Sequence, residues 1–62
     1  MNYKVRLYDS YDLKNKIPVE GIMYLSDGKV GQLRIKTKTE DLGIAEWITK
    51  GWIFDVMEEI KE

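Results

Sequence analysis

Apolar and polar residues alternate without a fault over Tyr3-Lys4-Val5-Arg6-Leu7-Tyr8, the period of a half-buried strand. Tyr3, Val5 and Leu7 fall on one face, with Lys4, Arg6 and Tyr8 on the other. Asp9-Ser10 breaks the pattern and opens a polar connection to Lys16, rich in turn-forming Asp, Ser and Asn. Tyr11 and Leu13 are expected to pin this connection to the body. Pro18 lacks an N–H and fits only the start or edge of a following strand.

The run from Val19 to Thr37, VEGIMYLS-DG-KVGQLRIKT, reads as a hairpin turning at Asp27-Gly28. A two-residue loop would oppose Leu25 to Val30, Ile22 to Leu33 and Glu20 to Ile35. That register pairs apolar with apolar, and it is preferred over a bulged Ser26-Asp27-Gly28 turn. Thr37 and Thr39 are both N-cap candidates, and Glu40 and Asp41 suit the first turn of a helix, where the dipole favours negative charge. A helix over about 40–50 follows, ended by Thr49-Lys50-Gly51.

The last apolar run has two readings. As a strand over 52–57, Trp52, Phe54 and Val56 share a face. As the continuation of an unbroken helix from Glu40 to Ile60, it leaves Ile44, Trp47, Gly51 and Phe54 as a second apolar stripe seeking a partner. Aromatic and β-branched residues after a helix-stopping glycine favour the strand. The expected fold is therefore a single α+β domain over 1–62. It has a three- to four-stranded antiparallel sheet (about 3–8, 19–26, 29–37, with 52–57 as the fourth) covered by one helix (about 40–50).

Composition narrows the function. The 62 residues include no Cys and no His, which removes disulfides, thiolate and imidazole metal ligands, and the usual nucleophile–base pairs. The carboxylate pairs Asp9/Asp12, Glu40/Asp41 and Glu58/Glu59 have no pocket-forming context and read as solvated surface. Neither an enzyme, a cofactor, a metal nor a small-molecule site is expected. The N-terminal residues show no apolar signal segment, and no apolar run approaches a bilayer span, so a cytoplasmic, non-membrane protein is expected.

Charge is uneven along the chain. Residues 1–38 carry eight basic against four acidic side chains, and residues 39–62 carry two against seven. The two halves can complement each other within one fold, or the basic half can meet a polyanion. A domain this small buries about 60% of its unfolded surface, so packing alone leaves it marginal and self-association becomes relevant. The first functional expectation is a non-enzymatic accessory or regulatory module that binds protein or forms a homodimer, with Ile44, Trp47 and Phe54 as interface candidates. The alternative is a DNA- or RNA-binding protein using Lys4, Arg6, Tyr8, Arg34 and Lys36 on the outward face of the sheet.

Overall fold

The computed structural model describes residues 2–26 and 32–61. They form an antiparallel sheet in the order β4-β3-β2-β1-β5 and one short helix. The strands are β1 (Asn2–Asp9), β2 (Val19–Leu25), β3 (Leu33–Lys36), β4 (Asp41–Gly43) and β5 (Trp52–Ile60), with α1 (Ile44–Thr49) between the last two. The expected α+β class, a small antiparallel sheet packed against a helix, is the class found.

The alternating segment forms β1 as its pattern requires, and Val5 and Leu7 are fully buried. It lies between β2 and β5, pairing Val5 with Gly21 on one side and with Val56 on the other. The register to β5 shifts between Lys4 and Val5, a bulge that leaves Met57 unopposed. Met23, Ile35 and Trp47 complete the buried core. Tyr3, Leu42, Ile44, Trp52 and Phe54 pack around it.

The hairpin register differs from the expected one. Met23 opposes Ile35, and Leu25 opposes Leu33. The Ser26 N–H donates to the Gln32 carbonyl over 3.0 Å, so the connection is longer than two residues. The expected turn at Asp27-Gly28, and the part of the 29–37 strand before Gln32, lie outside the described residues. Ile22, Met23, Tyr24 and Leu25 are apolar in succession, so alternation could not say which pair faces inward. Gly21 helps to decide it. A Cβ there would stand 2.8 Å from the Lys36 carbonyl oxygen and 3.2 Å from an Ile35 methyl, so the chains approach closely only at a glycine.

The helix begins later than expected. Residues 37–40 form a tight turn, not a helix entry. Thr37 N–H donates to the Glu40 carbonyl over 2.7 Å, and Thr37 Oγ1 accepts from the Thr39 and Glu40 N–H groups at 3.3 and 3.1 Å. This turn feeds β4, a strand the sequence reading did not contain, and Gly43 takes the N-cap position without a side-chain bond. The stop at Gly51 is as expected, with a left-handed φ of 88°. The unbroken helix to Ile60 is thereby replaced by β5, three residues longer than the expected 52–57.

Candidate binding surfaces

Alternation assigns each strand residue to one of two faces. On the helix side, α1 lies across one end. Trp47 is only 2% exposed and its indole N–H donates to the Ile35 carbonyl over 3.0 Å. Its ring meets Trp52 edge-on, with centroids 5.8 Å apart and planes at 87°. Of the three expected interface residues, Trp47 is thus a core residue, while Ile44 and Phe54 are half-buried against that core. The second apolar stripe does not form, because α1 ends at Thr49 and Phe54 belongs to a strand.

Six helical residues are too few to cover this face. Beyond α1 the sheet keeps an open concavity of about 520 Å³ lined by Tyr3, Met23, Leu25, Leu33 and Val56. Leu25 and Val56 are 56% and 52% exposed. None of the five was singled out from sequence. The signal that could have found them is a mismatch of length, since the sheet is longer than its cover. An eleven-residue helix over 40–50 concealed that mismatch.

The opposite face gathers the expected basic residues. Lys4, Arg6 and Tyr8 on β1 share it with Arg34 and Lys36 on β3, but β2 lies between the two strands. The intervening and flanking strands bring carboxylates. Glu20 lies 3.5 Å from Lys4 and 3.8 Å from Arg6. Asp55 opposes Arg6 and Glu58 opposes Lys4 across the β1–β5 ladder. Asp41 accepts from Arg34 Nε at 3.0 Å and from the Tyr24 hydroxyl, while Arg34 Nη2 donates to the Asp41 carbonyl over 2.7 Å. The two side-chain bonds hold the Asp41 carboxyl below its ordinary range, the Tyr24 bond being the larger cause. The same contact raises Tyr24, and Asp41 raises Arg34. Among the described residues, the ion pairs on this face therefore join Lys4 and Arg6 to Glu20 and Arg34 to Asp41. A shallow hollow of about 400 Å³ lies among Lys4, Ile22, Lys36, Lys38 and Ile60.

The connection after β1 is held differently from expectation. Tyr11, Leu13 and Ile17 are exposed, so the first two do not tuck into the body. The anchors are polar. Asp9 accepts from the Tyr11 N–H at 3.0 Å and pairs with Lys16 at 3.2 Å, contacts that lower its carboxyl in that order of importance. The Ser10 N–H and hydroxyl both donate to the Gly51 carbonyl.

Among the described residues no cluster of three or more His, Cys, Asp or Glu side chains could hold a metal ion. No described helix is long and apolar enough to cross a membrane. Comparison with protein-family models, curated proteins and solved structures finds no match to this chain.

Proposed function

We propose that this chain is a small cytoplasmic, non-enzymatic accessory module that works by binding protein. The observation that carries the reading is the half-covered sheet. Helix α1 closes one end of the apolar face, and the other end offers Leu25, Leu33 and Val56 to solvent around a concavity. Burying such a patch is favourable by about 25 cal/mol per Å² of apolar surface, and a rigid sheet loses little entropy on docking.

A photo-reactive side chain at Leu33, irradiated in the native cell, tests this. Protein adducts that form there and disappear when Leu25→Asp is added support the reading. Absence of any adduct from Leu33 contradicts it. The nucleic-acid reading draws less support, because Lys4, Arg6 and Arg34 on the outward face are already paired with Glu20 and Asp41. Salt-sensitive binding of a fluorescent duplex, lost in Arg6→Glu with Arg34→Glu, would favour it instead.

A further inference from the structure

We infer that strand β5 is a self-pairing edge, and that a second copy of this chain adds to it antiparallel, with Phe54 opposite Phe54 on the twofold axis. This inference rests on the protein-binding reading and names one partner for it. The sheet has two edges. β4 offers three residues and runs directly into α1, whereas β5 offers nine. Ile53, Val56 and Met57 on β5 are about half exposed. A long edge with apolar side chains on it is a template for another strand.

The hydrogen-bond phase says which residues can pair. Ser10 N–H donates to the Gly51 carbonyl while the Gly51 N–H turns back to Ile48, so Ser10 and Gly51 stand at a hydrogen-bonded position of the ladder through one bond. Along the ladder Asp9–Trp52, Leu7–Phe54 and Val5–Val56 then fall at the non-bonded positions. The N–H and C=O groups of Trp52, Phe54 and Val56 therefore point away from β1. Centring the pairing on Phe54 sets Trp52 opposite Val56 of the second copy, so all three outward residues meet outward residues. Six edge hydrogen bonds result.

Other registers fare worse. Centring on Asp55 sets that carboxylate against itself. Centring on Val56 matches Phe54 with Glu58, whose backbone the bulge has turned toward β1. In the Phe54 register no carboxylate faces another. Trp52 of the second copy comes to rest by Val56, at the rim of the open concavity, so the apolar faces of the two sheets become continuous.

Sedimentation and amide exchange on the full chain, from micromolar to millimolar concentration, test the pairing. A dimer that forms with concentration and slows exchange at Trp52, Phe54 and Val56 is expected. Val56→Pro removes an outward N–H without touching the β1 ladder and should weaken the dimer about tenfold or more. A monomer at every concentration overturns the pairing, as does a dimer in which these amides stay unprotected or Val56→Pro leaves the affinity unchanged. The wider protein-binding reading is scored separately by adducts from Leu33, which lies on β3, far from this edge.

Discussion

The indole nitrogen of Trp47 donates to the main-chain carbonyl of Ile35 over 3.0 Å. One side chain thus closes the core and ties α1 to β3, in a helix too short to be stable by itself. Both partners are buried. The rest of the fold is arranged around this contact: the chain beyond α1 turns back at Gly51 to lay β5 along β1, and the sheet beyond Trp47 stays open.

Removing that side chain should unfold the domain or nearly so. Trp47→Ala is expected to cost about 3–5 kcal/mol, a large share of the stability of a small domain. Trp47→Phe keeps most of the apolar contact but leaves the Ile35 carbonyl without this donor, at about 1–3 kcal/mol. Urea unfolding followed by circular dichroism gives both values, and the ordering Ala worse than Phe is the prediction.

At Gly51 the φ of 88° is one that side chains rarely adopt, and a Cβ there would also stand 2.0 Å from the Tyr11 ring. Gly51→Ala should cost about 1–2 kcal/mol from the backbone alone. Tyr11 is exposed, so its ring can swing clear. Adding Tyr11→Ala should therefore recover little of the loss in a thermal melt.

Gly21→Ala tests the close approach of β2 and β3. The nearest atom to the new methyl is a main-chain oxygen at 2.8 Å, which cannot move without shifting the strand. A loss of about 1–3 kcal/mol is expected. Faster amide exchange in β3 than in β1 would locate the damage.

Acid and alkali should weaken the fold for related reasons. Asp9 and Asp41 are held below their ordinary value of 3.8, Asp9 mainly by the Tyr11 N–H and Asp41 mainly by the Tyr24 hydroxyl. As pH falls the unfolded chain takes up these protons first. Their contribution is therefore complete above that value and is lost as pH drops through the depressed ones. Tyr24 is raised from 10.0, so its contribution is complete below pH 10 and is lost as pH rises through the higher value. Asp41→Asn should flatten part of both limbs in a plot of melting temperature against pH. It should also speed exchange in β4, which Asp41 joins to β2 and β3.

What the sequence could reveal depended on how many independent signals each segment held. β1 was legible because its alternation is unbroken, and β5 because aromatic and β-branched residues follow a glycine that must end a helix. The hairpin register was not, since four successive apolar residues from Ile22 to Leu25 leave the inward pair undetermined. β4 was hidden by the chemistry of Thr37. A hydroxyl that accepts from backbone N–H groups two and three residues on can cap a helix or close a turn, and only the pairing of Leu42 with Ile35 decides between them. The outward basic face was foreseen, but the carboxylates that join it arrive from β2, β4 and β5 and depend on strand order. The open concavity was missed for the same reason as β4: the residues assigned to cover it belong to a turn and a strand.

The most direct measurement is the solvent exposure of methyl groups on the helix side of the sheet, read by NMR broadening with a soluble nitroxide. Strong broadening at Leu25 and Leu33, with Val5, Leu7 and Ile35 left sharp, is the predicted result. Sharp resonances at Leu25 and Leu33 would mean that this end of the sheet is already covered, and the binding surface argued from it would not exist.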